Sequence, residues 1–322
     1  MKVSSLCILI PCLNEEKGVA SVVREYRNQF PQARIVVVDN GSTDATGKLA
    51  REAGAEVLIE RSRGKARAVL RAFSNIDSDI LIMVDGDDSY PAAGAQRLLD
   101  QFLKEGADMV TGIRRPINGQ SAFRPFHQAG TSAFSQVLCM VFGFKPSDVF
   151  SGLRLFSRRF YKNVPIHSRG FELEMELTIQ AIDKGFTTAE IDVPFRDRAH
   201  GSHSKLRTVQ DGLRILKLLV ILFRDYKPFV FFSGVSSMIL AAGLVAGMLP
   251  VYEYFTTGMV GRFPMAILAA ALCNLAAFTL FTGLILESNL RHHREAYQLE
   301  LRRFEDSGQA FQSNHADRFH LT

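Results

Sequence analysis

The 322-residue chain contains no tryptophan, so any motif that depends on one, Q-x-x-R-W among them, is absent. Its four cysteines, Cys7, Cys12, Cys139 and Cys273, form no C-x-x-C pair, and Cys273 falls inside an apolar run. Neither a zinc site nor a disulfide framework follows from that distribution. No G-x-G-x-x-G succeeds the first apolar run, where "PCLNEEKG" stands, which excludes a dinucleotide-binding start. A phosphate-cradling P-loop fails as well: Gly41 to Lys48 reads "GSTDATGK", one residue too long between the glycines, and Leu49 stands where Ser or Thr would ligate magnesium. The opening "MKVSSLCILIPCLNEE" has an apolar stretch of about seven residues and no small-residue cleavage site, so a signal peptide is not expected and the N-terminal domain should be cytosolic.

Charge and long apolar runs are what the chain does have. Lys and Arg number 38 against 33 Asp and Glu, a net +5. The segment from Pro194 to Pro228 accounts for that excess: Arg196, Arg198, Lys205, Arg207, Arg214, Lys217, Arg224 and Lys227 face only Asp197, Asp211 and Asp225. Phe229 to Leu249 and Met265 to Leu286 each lack formal charge and are long enough to cross a bilayer, with Asn274 the notable polar residue of the second. Joined by "PVYEYFTTGMVGRFP", with Tyr252 and Tyr254 at interface depth, they read as a helical hairpin. Arg224 and Lys227 precede it and Arg291, Arg294, Arg302 and Arg303 follow it, whereas the connection holds only Glu253 and Arg262, which predicts both termini in the cytosol. The segment 287–322 reads as a cytosolic polar tail, aperiodic and unstructured after about Ser307.

Ahead of the hairpin, short apolar runs alternate with helix-length segments: Leu6 to Pro11, Ala33 to Asp39, Ala55 to Glu60, Asp79 to Asp85 and Ala107 to Ile113. Such alternation predicts an α/β domain, residues 1–207, with a mostly parallel sheet and helices on both faces. Ligands of open α/β sheets bind beyond the carboxyl ends of the strands. Asn14 and Glu15, Asp39, Asp85 and Asp87, and Arg114 and Arg115 occupy those ends and should converge on one crevice.

The stretch "ILIMVDGDDSYP" (Ile80 to Pro91) runs a greasy strand into Asp85, Asp87 and Asp88. Carboxylates so close repel one another unless a cation sits among them, and oxygen ligands with room for phosphate and water suit Mg²⁺ or Mn²⁺. A solvated loop in which Asp88 caps a helix is the plainer alternative.

Together, "IPCLNEE" (Ile10 to Glu16), "VVVDNGSTD" (Val36 to Asp44), "RGKARAV" (Arg63 to Val69), "VDGDDSYP" (Val84 to Pro91), "FSGLRLFSRR" (Phe150 to Arg159) and "RAHGSHSKLRTVQDGLRIL" (Arg198 to Leu216) resemble glycosyltransferase family 2. Within it they are similar to the polyprenyl-phosphate glycosyltransferases, which include dolichol-phosphate mannose and glucose synthases. The resemblance implies a GT-A fold, Mg²⁺ or Mn²⁺, a UDP- or GDP-sugar donor, and inverting transfer to undecaprenyl or dolichyl phosphate. It also implies that Pro11, Asn14, Glu15, Asp39, Gly64, Lys65 and Asp85 bind the nucleotide and that Asp85 and Asp87 hold the metal. Two positions depart from the common pattern: Asn40, where a second Asp is frequent, and Asp88, where Gly is frequent. The implied partners are a nucleotide sugar, a polyprenyl phosphate and a bacterial inner or plasma membrane, with no nucleic acid and with self-association left open.

A lipid phosphate, its second pKa near 6, is already an anionic nucleophile at neutral pH, so it needs cationic positioning rather than a general base. Arg114, Arg124, Arg196, Arg198, Ser204 and Lys205 are the candidates for the acceptor phosphate, Arg198 and Lys205 also as catalytic groups beside Asp85 and Asp87. Glu172, Glu174 and Glu176 recur in "GFELEMEL", but none is assigned as a base. Residues 208–228 keep a helical cadence of polar positions within Leu, Ile, Val and Phe, as an amphipathic juxtamembrane helix would. Two other activities compete. A processive polysaccharide synthase would carry Q-x-x-R-W and more membrane helices. A haloacid-dehalogenase-type phosphatase would want Thr or Val where Ser89 stands and its D-x-D on the first strand. A non-catalytic lipid-binding subunit keeping the fold is a third reading.

Overall fold

The computed structural model describes residues 5–117, 139, 143, 146–166, 173–196, 220, 221 and 223–319. The chain forms two units, Met1–Lys205 and Leu206–Thr322.

The first unit runs β1 (Leu6–Cys12), α1 (Val19–Gln29), β2 (Arg34–Asp39), α2 (Thr46–Glu52), β3 (Glu56–Ile59), α3 (Lys65–Asn75), β4 (Ile80–Met83), α4 (Ala92–Glu105), β5 (Met109–Pro116), β6 (Arg154–Ser157), α5 (Arg158–Asn163), α6 (Leu173–Asp183) and β7 (Thr188–Phe195). Its sheet has the order β3-β2-β1-β4-β6-β5-β7. Every pairing is parallel except those of β6, which runs against both β4 and β5. The five expected strands are present, trimmed or extended at their ends, and β6 and β7 complete a mixed, mostly parallel sheet.

Strands β1 and β4 are apolar throughout because helices cover both faces of the sheet. Ile8 and Ile10 of β1, Ile80 and Ile82 of β4 and Leu155 of β6 pack in one core with Val22, Val23 and Tyr26 of α1 and Leu98 and Phe102 of α4. Full burial of each such aliphatic side chain contributes about 1.5–3 kcal/mol. Helix α1 joins through Val19, Val22, Val23 and Tyr26, spaced three or four apart on one stripe. Helix α5 starts where the Ser157 hydroxyl accepts a hydrogen bond from Phe160 N at 3.1 Å.

The second unit contains α7 (Pro228–Thr257) and α8 (Phe263–Phe319). Proline in the first turn of α7 sits where a missing N–H costs nothing. The helix then continues through Pro250 to Thr257, so the connection is only residues 258–262, shorter than the fifteen-residue loop expected from the hydropathy. Helix α8 likewise passes Leu286 without a break and reaches Phe319, where an aperiodic tail was expected. From Glu287 to Asp306 the sequence has no Gly or Pro and many strong helix formers, which lets the helix propagate. The two helices touch through Ser236, whose Oγ donates to Ala276 O at 2.7 Å, and at the α7 N-terminus, where Phe229 N donates to Glu287 Oε2 at 3.3 Å. Both are long and apolar enough to cross a membrane, with mean hydropathies of 2.1 and 2.0, and only 11 % of each apolar window is buried. Of the expected juxtamembrane helix, residues 220, 221 and 223–226 are helical; most of the remainder lies outside the described residues.

Candidate active site

Strands β1, β2 and β4 are parallel neighbours, so the chain leaves all three on the same edge of the sheet. Pro11 is buried near the end of β1, and Asn14 follows with φ 57°, a left-handed conformation that asparagine tolerates better than most residues. Asn14 Oδ1 accepts from Thr43 N at 2.8 Å, while Asn14 N donates to Ser42 Oγ at 3.1 Å. Glu15 N donates to Thr46 Oγ1 at 2.9 Å, and Asp39 Oδ1 accepts from Ser42 N at 2.9 Å. The expected nucleotide residues of β1 and β2 therefore belong to one hydrogen-bonded pair of loops.

Asn40, which departs from the common pattern, is buried and fully used. Its Nδ2 donates to Glu60 O at 3.3 Å and Ser62 O at 2.7 Å, and its Oδ1 accepts from Gly64 N at 2.7 Å. An aspartate could not donate to either carbonyl. This amide fixes the approach to α3, which begins after Gly64 at φ 133°, a conformation natural to glycine.

Lys65, the first residue of α3, reaches two carboxylates at once. Its Nζ donates to Asp85 Oδ1 at 2.5 Å and to Glu174 Oε1 in the first turn of α6. The Lys65, Asp85 and Glu174 side chains are 20 %, 26 % and 6 % exposed, so the three charges share a poorly hydrated pocket. Burial alone would lower the Lys65 pKa, but Asp85 and Glu174 outweigh it and hold the ammonium charged, above its ordinary range. Because Met83 pairs with Arg154 across the antiparallel β4–β6 ladder, Gly152 falls opposite Asp85. A Cβ at Gly152 would lie 2.0 Å from Asp85 Oδ2, so the carboxylate occupies space that only glycine leaves open.

Asp87 Oδ1 accepts from Ser89 N at 3.2 Å and Ser89 Oγ at 2.5 Å, which turns the chain toward α4. Asp88, at φ 61°, points elsewhere: Ser21 Oγ donates to its Oδ2 at 3.0 Å and Arg196 Nη1 to its Oδ1 at 3.2 Å. Arg196 also forms a two-pronged pair with Glu25 at 2.9 and 3.2 Å, and Glu25 Oε1 accepts from Ala92 N at the start of α4. Asp88 thus ties α1 to the end of β7, which accounts for the third carboxylate without a ligand. Arg114 is held at 2.7 Å by both oxygens of Asp148 and lies over the Phe195 ring; the pairing outweighs burial and keeps it charged. Arg114 and Arg196, both expected at the acceptor phosphate, thus have carboxylate partners. Arg124, Arg198, Ser204, Lys205 and Glu172 lie outside the described residues.

Besides Glu174, two groups beside the site have no role assigned from the sequence. Tyr90 is buried, accepts from Gly152 N at 2.9 Å and stays neutral, burial pushing its hydroxyl up to about 12. Arg154, wholly buried in β6, donates to Val149 O, Ser151 O and Thr178 Oγ1, which bind the 149–151 turn to α6. The signal for Arg154 was an arginine inside "GLRLF", an otherwise apolar strand. Glu174 had only its place in a row of three glutamates. Among the described residues no three His, Cys, Asp or Glu side chains form a ready-made ion site. A cation at this strand end would share its shell with substrate oxygens and water, the usual arrangement for Mg²⁺ at phosphates.

Comparison with known proteins gives the same fold and names the family. Residues 7–164 match the model described as glycosyl transferase family 2. Glycosyltransferase AglJ of Haloferax volcanii is 30 % identical over 292 residues, 90 % of this chain and 95 % of that protein. The dolichyl-phosphate hexose transferase of the same organism is 30 % identical over 216 residues, 67 % of this chain and 92 % of its own length. Among solved structures, glucosyl-3-phosphoglycerate synthase from Mycobacterium tuberculosis, in complex with Mn²⁺ and UDP-glucose, superposes with a TM-score of 0.54 over 68 % of this chain and 78 % of that one, at 22 % identity. The chain is a glycosyltransferase with a GT-A fold and belongs to glycosyl transferase family 2.

Proposed function

We propose that this enzyme transfers one sugar from a UDP- or GDP-sugar to a polyprenyl phosphate at the cytosolic face of the membrane, with inversion and with a divalent metal. The observation that carries the donor half is the carboxylate turn after β4, with Asp85 tied to Lys65 and Asp87 beside it. Asp87 and Asp85 are hard oxygen donors at a strand end and fit Mg²⁺ or Mn²⁺. Held there, such an ion supplies Lewis-acid stabilisation of the departing diphosphate. Asn14, Glu15 and Asp39 line the nucleotide side, while Lys65 fixes Asp85.

The acceptor half rests on different observations. Two helices each expose most of an apolar stretch long enough to cross a membrane, and a relative is a dolichyl-phosphate hexose transferase. A lipid phosphate attacks without a general base, which agrees with a Glu174 carboxylate already bonded to Lys65. Arg124, Arg198, Ser204 and Lys205 supply the cationic positioning together with Arg114 and Arg196, whose charges are also engaged by Asp148 and Glu25. Arg224 and Lys227 before the hairpin and Arg291 and Arg294 after it set both termini in the cytosol; the connection's Arg262 pairs with Glu253 at 3.0 Å.

Membranes containing the protein, incubated with a panel of labelled nucleotide sugars, should yield label in the lipid extract as acid-labile glycosyl phosphate. Label found only in water-soluble products or in polymer would overturn the reading.

A further inference from the structure

We propose that α8 presents a self-association face centred on Asn274, and that its occupant is a second copy of this chain. The proposal goes beyond the transfer reaction and rests on α8 crossing the bilayer. Asn274 lies near the middle of the uncharged segment 265–286, about 14 Å along the helix from one end and about 18 Å from the other at 1.5 Å per residue. A short amide cannot reach either interface from that depth.

The α7 side of α8 is already occupied. Ala269 and Ala276 are buried, Ser236 Oγ bonds to Ala276 O, and Gly283 lies against Phe232. Asn274 precedes Ala276 by two positions, which turns it roughly 160° away from that seam. It is exposed; its Nδ2 donates to Ala270 O of its own helix at 3.0 Å, and its Oδ1 has no partner among the described residues. Hydrocarbon offers nothing to either atom, and an unmet polar group there is costly.

The surrounding residues have the pattern of a helix pair. Ile267, Ala270, Asn274, Ala277, Phe281 and Leu284 recur at alternating intervals of three and four, and all are exposed. That seven-residue cadence is the seam of a left-handed helix pair. Ala270 and Ala277, one turn to either side, let two backbones approach closely. An amide both donates and accepts, so two copies of Asn274 related by a twofold axis satisfy each other, and identical chains place them at identical depth. A polyprenyl chain has no group that could do so.

The test uses the full chain, donor- and acceptor-labelled, purified and reconstituted in phosphatidylcholine vesicles. Wild type should show energy transfer that dilutes out with added lipid. Asn274→Leu should weaken the apparent association about 3- to 30-fold, the range measured for interhelical polar contacts. Asn274→Gln should retain most of it, and Leu275→Ala, exposed but off the seam, should leave it unchanged. Absence of transfer in wild type, which would leave Asn274 to a different protein, or Asn274→Leu associating as wild type does, overturns the proposal. Retention under alkaline carbonate is scored on the same samples. A chain that washes off sinks the membrane-crossing reading and this inference with it, whereas a retained chain without transfer sinks only the inference.

Discussion

Lys65 shows how much depends on one side chain. It is the shared counter-ion of Asp85 and Glu174, so Lys65→Met leaves two carboxylates facing each other with little water. Breaking such a buried pair costs roughly 3 kcal/mol, to be read as a fall in the thermal midpoint of the detergent-solubilised chain. The sign with pH follows from the raised Lys65 pKa. Its stabilisation is complete below the ordinary lysine value of about 10.4 and is lost only as pH climbs through the higher folded value. The gap between wild type and variant should therefore hold from neutral pH upward and close in strong alkali. Asp87→Asn separates charge from architecture. The amide oxygen can still accept from Ser89, so the turn survives while metal affinity is lost. Transfer should drop at least about 100-fold, the scale of losing one preorganised electrostatic group, with an unchanged melting curve; normal turnover would refute the metal assignment. Asn40 could be read as a departure from the usual aspartate, but its reason could not, because the carbonyls of Glu60 and Ser62 approach it only after folding.

Among the elements, β6 does the most for the site. It runs opposite to its neighbours, carries Arg154 into the interior and lays Gly152 beside Asp85. Gly152→Ala should push the Asp85 carboxylate off Lys65, and a displacement of that order costs about 100-fold in kcat/KM while circular dichroism stays native. A variant with wild-type kinetics would mean that the turn yields freely. The strands β1 to β5 were legible because each is a run of apolar or β-branched residues of strand length between turn residues, a local signal. β6 gives no such signal: it is four residues long with an arginine at its head. The links from Arg196 to Asp88 and Glu25 were hidden by distance along the chain, 108 and 171 positions.

For the molecule as a whole, the proposed function assigns the donor to carboxylates and amides and the acceptor to cationic residues. Neutralising Arg198 and Lys205 together should raise the KM for lipid phosphate more than it weakens nucleotide binding, measured by nucleotide titration beside transfer kinetics. Equal losses in both would contradict a divided site. By itself the sequence determined the alternating α/β domain, the acidic turn at Asp85 and Asp87, and two uncharged segments of membrane length, since period, run length and local charge are properties of neighbours in the chain. Only the tertiary structure decided which charges meet. It brought Glu174 to Lys65 across 109 positions, engaged Arg114 and Arg196 with carboxylates, and turned Asn274 away from its own hairpin. Many pairings of opposite charge are open to a chain with 38 basic and 33 acidic residues, and packing selects among them by distance, a quantity the order of residues does not contain.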